Sequence, residues 1–127
     1  KGEGLYVWGD FRDWIVSKAK SVEAGTTYEV SYADLGRDAI DKEIEAALPT
    51  HRLFDETTLC AVIAGLRAEQ LKGEEGRLLT RRVNLFYASS CVVSVYWLVG
   101  NREWDVDAWG RGGRRWDAGN RVFSPGN

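Results

Sequence analysis

Residues 92–109 read VVSVYWLVGNREWDVDAW, and this stretch decides the fold. Gly100-Asn101 supplies the positive φ angles of a two-residue hairpin loop, with strand-like residues on both sides. With that dipeptide as the turn, Val99 faces Arg102 and every other pair follows. Trp97 opposes Trp104, Val95 opposes Val106 and Val93 opposes Ala108, all on one face. Tyr96 opposes Asp105, Ser94 opposes Asp107 and Val92 opposes Trp109 on the other. The first face is apolar throughout, and a one-residue slip would destroy the match.

The segment upstream, about Arg82 to Ala88, reads as a strand with Val83, Leu85 and Tyr87 on one face. A two-residue turn at Ser89-Ser90 sets that face opposite the apolar set. An odd-length connection or a bulge near Cys91 aligns it, and the irregular connection is expected. Downstream, Gly110-Arg111-Gly112-Gly113 is a loop. Arg114 to Phe123 supplies one or two more strands, interrupted at Ala118-Gly119-Asn120, and Ser124 to Asn127 reads as a loose tail.

The part before the sheet carries helical periodicity. Asp10 starts a first helix with Phe11, Trp14, Ile15 and Val22 on one face and Gly25 as its stop. Thr26 to Val30 favours a short strand. Ser31 to Asp34 has capping-box spacing, and Tyr32, Leu35, Ile40, Ile44, Ala47 and Leu48 mark a second helix ended by Pro49, with a possible break at Gly36. Asp55 caps a third, on which Leu59, Val62, Ile63, Leu66 and Leu71 share a face and which Gly73 closes. Glu74-Glu75-Gly76 is a charged turn leading out.

The expected class is therefore α+β. About three helices (a helical part about 10–73) precede an antiparallel β-meander (about 81–123) in a single domain, 1–127. Over residues 10–99 the element order resembles a winged-helix domain. That resemblance implies a DNA-reading third helix, yet Asp55, Glu56 and Glu69 dominate its polar surface against Arg67 and Lys72, which suits protein contact better. An antiparallel sheet of three to five strands with helices on one side is an equal alternative.

Composition narrows the classes. A 44% hydrophobic content in 127 residues excludes a disordered chain, and no apolar run approaches the ~18 residues needed to span a bilayer, so no membrane partner is expected. Two separated cysteines make no disulfide framework, no signal-peptide pattern is visible, and a cytoplasmic protein is expected. The net charge of -2 hides an uneven distribution. Residues 1–76 hold nine Lys or Arg and fifteen Asp or Glu, whereas residues 77–127 hold eight Arg and four acids. Either the basic part attracts an anionic partner, or the two parts neutralise each other across the fold.

No cofactor motif appears, and one histidine (His51) with two cysteines does not make a four-ligand metal site. Cys60 lies on an apolar helix face, where desolvation raises its pKa and silences it. Asp105 and Asp107, two apart on a strand, share a face roughly 6–7 Å apart, flanked by Tyr96 and Trp109 and within reach of Arg111 or Arg114. That pair is the candidate site of a small hydrolytic enzyme or a hard-cation site; its ordinary reading is the solvated face of a sheet. Arg111, Arg114, Arg115 and Arg121 interleave with Trp109, Trp116 and Phe123. Arginine with aromatic rings is the composition of protein interfaces and also of single-strand nucleic-acid surfaces. The favoured function is a non-enzymatic interaction module, meeting a protein partner or a second copy of itself. Single-stranded nucleic-acid binding and the carboxylate-pair enzyme are the alternatives.

Overall fold

The computed structural model describes residues 5–7, 9–20, 28–89 and 91–126. Its elements are β1 (Leu5–Val7), α1 (Gly9–Trp14), a single 3-10 turn (Val16–Lys18), β2 (Val30–Asp34), β3 (Ala39–Ile40), α2 (Asp41–Ala46), α3 (Glu56–Ala68), β4 (Asn84–Tyr87), β5 (Val92–Leu98), β6 (Glu103–Trp109), β7 (Arg115–Trp116) and β8 (Arg121–Pro125). The α+β class and the order of helices before the main strands both hold.

The β5–β6 hairpin has the register read from its residues: Trp97 faces Trp104, Tyr96 faces Asp105 and Val92 faces Trp109. The indoles of Trp97 and Trp104 meet edge to face at 5.3 Å. Only the turn differs. The last pair is Leu98–Glu103, and the positive φ falls on Arg102 rather than on Gly100 or Asn101. Lengthening the loop from two residues to four leaves the alternation unchanged.

The β4–β5 connection corrects the sequence reading. Tyr87 pairs with Val92, Phe86 with Val93 and Leu85 with Ser94, so the connection is regular in parity and carries no bulge shift. Leu85 and Tyr87 therefore lie on the face of Ser94 and Val92. They are satisfied there because that face is covered, not solvated. Ile44 and Leu48 from the α2 segment, Ala39 of β3, Trp116 of β7 and Val122 of β8 pack on it as a second core. The first face carries α1 and α3: Phe11, Ile15, Leu59, Val62, Ile63 and Leu66 close over Phe86, Val93, Val95, Trp104 and Val106. A strand buried on both sides loses the in–out alternation, as β4 shows by being buried at every residue, with the amide of Asn84 satisfied by Leu79 and Val95.

The meander is limited to β4–β5–β6. The main sheet has six strands in the order β1-β6-β5-β4-β8-β2, and β3–β7 form a separate pair. β8 lies parallel to β4, β1 parallel to β6, and β2 antiparallel to β8. Ser124 and Pro125 thus belong to a strand, not to a loose tail, and Ser124 is buried. Phe123 stacks on Phe86 at 4.6 Å with the rings 9° apart.

The second helix is much shorter than its periodicity implies. Residues 30–34 form β2, because pairing with β8 brings Tyr32 against Phe123, and tertiary pairing overrides a local helical pattern. The helix starts only at Asp41, where Glu43 reaches back to the Ile40 N–H. The first helix stops at Trp14, which is exposed; Val22 and Gly25 lie outside the described residues. The third helix matches its reading in its start and its buried face but not in its end, with the Asp55 carboxylate accepting from Thr58 N–H at 2.8 Å. It ends at Ala68, leaving Leu71 exposed beyond it.

The segment after α3 wraps round Gln70. Its buried side chain donates to the Glu74 and Leu78 carbonyls and accepts from Leu78 N–H, while its own carbonyl accepts from Trp104 Nε1–H at 2.7 Å. Gly73 adopts φ 76°, and a Cβ there would overlap the Trp97 indole. Replacing Gly73 by alanine therefore combines left-handed strain with overpacking, and we expect a loss of about 2–4 kcal/mol in urea unfolding. Gly65, in α3, has open space around it, so Gly65→Ala is expected to add about 0.5–1 kcal/mol in the same assay.

Candidate functional site

Of the residues singled out in the sequence, Trp109, Arg111, Arg114 and Trp116 converge where the 110–114 loop crosses α2 and the end of β6, while Tyr96 and Asp105 pair four residues further along the hairpin. The node is a residue the sequence reading did not select. Asp41, the first residue of α2, is fully buried. Its Oδ1 accepts from the Tyr87 hydroxyl at 2.6 Å and from Trp116 Nε1–H at 2.9 Å. Its Oδ2 accepts from Gly112 N–H and Arg114 N–H, each at 3.1 Å. Its own N–H donates to the Arg114 carbonyl at 3.0 Å. The backbone of the Gly-rich loop is thus bound by the protein's own carboxylate.

One turn further along α2, Glu45 repeats the device. Arg111 grips it with two hydrogen bonds, Nη2 to Oε1 at 2.6 Å and Nε to Oε2 at 3.0 Å, and Nη1 donates to the Ser89 carbonyl at 2.7 Å. Asp41 and Glu45 stand four residues apart on one helix face, so a single short helix holds the loop at two points. Glu45 raises the Arg111 pKa still further.

Above this anchor, Trp109 donates from Nε1 to Ser94 Oγ at 2.9 Å. The Arg114 guanidinium carbon sits 3.9 Å from the centre of the Trp109 ring and 4.8 Å from that of Trp116. Trp116 is buried, Trp109 half-buried and Arg114 exposed. Arg115 alternates with Trp116 along β7 and is exposed, so it stands apart from the stack.

The carboxylates differ from each other. Asp105 is 2% exposed and accepts a long contact from the Tyr96 hydroxyl at 3.4 Å. Asp107 is half-buried and accepts from the Ala108 N–H. Burial pushes the Asp107 pKa up, helped by the Asp10 and Asp105 charges and opposed by the Ala108 N–H and Arg114. Burial and then the Asp105 charge raise Tyr96. The pair does share a face, but it is not an open solvated one.

The remaining reactive groups behave as their surroundings dictate. Cys91 is buried, and Cys60 is half-buried with its thiol pKa raised by burial and then by Glu56. His51 is exposed, in a left-handed turn with φ 57°. Among the described residues no group of three or more His, Cys, Asp or Glu side chains is placed to hold a metal ion, and no helix is long and apolar enough to cross a membrane.

Comparison with protein-family models, with curated proteins and with solved structures finds no match to this chain. What fold and site define is an α+β protein whose sheet end carries an arginine stacked on tryptophan.

Two predictions follow from the Asp41 node. Asp41→Asn keeps the shape but sets a donor NH2 against donors, and we expect a loss of about 2–4 kcal/mol, read as a lower urea midpoint at unchanged slope. Burial, reinforced by hydrogen bonding to Asp41 and its charge, raises the Tyr87 pKa far above its ordinary value. The neutral phenol therefore contributes stability fully below pH ~10, and this is lost as pH rises above that value and the unfolded-state phenol ionises. Stability of the native protein is expected to fall above pH ~10, and Tyr87→Phe should flatten that limb of the pH profile.

Proposed function

We propose that this chain is a non-enzymatic binding module that meets a protein partner through the Trp109–Arg114 end of its sheet. The observation that carries the reading is the exposed Arg114 guanidinium held 3.9 Å over the Trp109 ring. The ring is itself fixed by Ser94, and the loop backbone by Asp41. An arginine and an aromatic ring already ordered before contact lose little entropy on binding, and these residue types anchor protein interfaces. Asp107, half-buried, lies two residues from Trp109 on the same face, and Arg115 lies at the margin of the stack. The patch mixes both charges with aromatic surface, a combination suited to a protein.

Two observations weigh against the alternatives. Three arginines of residues 77–127 already meet acids of residues 1–76: Arg77 with Glu69, Arg111 with Glu45 and Arg121 with Asp34. Phosphate binding would compete with these pairs, and Trp109 presents to a base a face already taken by Arg114. For the enzyme reading, Asp105 is too buried to meet a substrate without rearrangement.

The test places a photo-cross-linking residue at Arg115 and irradiates the protein in extract of its source cells. A discrete protein adduct, or a dimer of the chain, is expected, and Arg114→Ala with Trp109→Ala should remove it while circular dichroism stays unchanged. Adducts that survive both substitutions would refute this surface. Salt-dependent retention on a single-stranded oligonucleotide, lost in Arg114→Ala with Arg115→Ala, would replace the reading by nucleic-acid binding.

A further inference from the structure

β2 ends the main sheet, and among the described residues no strand pairs with its outer edge. Which of its backbone groups face outward follows from its other side. Glu29 C=O accepts from Gly126 N–H at 2.7 Å, and Leu35 both donates to the Asn120 carbonyl and accepts from Gly119 N–H, each at 2.8 Å. Odd-numbered residues therefore bond toward β8. By the alternation of an antiparallel ladder, Val30, Tyr32 and Asp34 turn their N–H and C=O groups to the free edge.

A cleft lies beside this edge on each face of the sheet. On the α3 side, Tyr28, Val30, Val62, Gly65 and Leu66 line a space of about 150 Å3. On the α2 side, Ala33, Leu35, Ile44, Ala47 and Val122 line one of about 240 Å3. A space of about 150 Å3 admits a group the size of benzene. Backbone donors and acceptors on the edge, with one apolar cleft above and one below, are what an added strand with side chains on alternate faces would use.

We propose that the β2 edge binds an extended peptide segment of a partner protein by strand addition. A residue opposite Val30 enters the α3-side cleft and one opposite Ala33 enters the α2-side cleft. The segment therefore carries apolar side chains three positions apart, an odd spacing that puts them on opposite faces. The end of the segment beside Glu29 is basic: Glu29 and Asp55 line a third cleft there with Arg52 to offset only one of them, whereas Asp34, Glu43 and Glu69 already meet Arg121, Arg37 and Arg77. A second copy of the chain fits less well. Paired antiparallel about Tyr32, it would set Asp34 opposite Val30 and Ser31 opposite Ala33; paired about Ser31, it would set Tyr32 opposite Val30 but Glu29 opposite Ala33, so neither register fills both clefts with apolar side chains.

The experiment selects binders from a random library of about ten-residue peptides on the immobilised protein. Selected peptides are expected to share the three-residue apolar spacing and a basic residue at the end beside Glu29, and to slow amide exchange at Val30, Tyr32 and Asp34. Tyr32→Pro removes an outward N–H without touching the β8 ladder, and Gly65→Leu fills the α3-side cleft from an open helix position. Each should weaken binding ~10-fold or more, a shift of one decade in Kd, with the thermal transition of Gly65→Leu retained. Peptides that bind without protecting those three amides, or that bind Gly65→Leu undiminished, would overturn the proposal. So would a concentration-dependent dimer abolished by Tyr32→Pro.

Discussion

The carboxylate of Asp41 is the constraint on which the second half of the structure depends. It takes hydrogen bonds from a strand of the main sheet through Tyr87, from the small sheet through Trp116, and from the loop backbone at Gly112 and Arg114. Burying a carboxylate is costly unless its lone pairs are met, and here four donors meet them. The arrangement of those donors is correspondingly specific. The loop has one conformation that serves all of them, and that conformation sets the Trp109–Arg114–Trp116 stack. Side-chain identity at one helix start thus determines surface geometry at a distant loop.

The uneven charge of the chain has a structural outcome. Acids concentrated before residue 77 and arginines after it would leave a dipolar molecule if each part faced solvent separately. Instead the arginines at 77, 111 and 121 lie against Glu69, Glu45 and Asp34. Arg121 also rests over the Tyr32 ring at 4.4 Å. Such partly exposed pairs contribute little stability one by one, since water screens them. Arg77–Glu69 is local, but the other two act as selectors of arrangement, because they join residues 66 and 87 positions apart and fix how α2 and β2 dock.

Legibility in the sequence followed the range of the interactions. The β5–β6 register was readable to the residue, since a local turn and a strict two-residue period set it without reference to the rest of the chain. The Asp55-capped helix was readable for the same reason. β2 was not, because Ser31 to Leu48 has helical spacing and only the arrival of β8, ninety residues on, makes strand the better solution. The parity of the β4–β5 connection failed on an assumption that one face would be wet. Nothing local announces that α2 and Trp116 cover it. The candidate site divides the same way. Tyr96, Asp105, Asp107 and Trp109 were placed on a common face by alternation, and Arg111, Arg114 and Trp116 by their position in the loop after it. Asp41 was invisible, since one acid at a helix start looks like any other until its distant donors are in place.

The position of β8 has a consequence for how the molecule comes into being. Residues 121–125 fill an interior slot of the sheet, between β4 and β2, although the other five strands of that sheet all precede them in the chain. Until they emerge from the ribosome, β4 shows a raw inner edge and Phe86 lacks its stacking partner. The sheet therefore stays incomplete and adhesive until residues 121–125 have been made, and its closure is one long-range event that joins both faces at once.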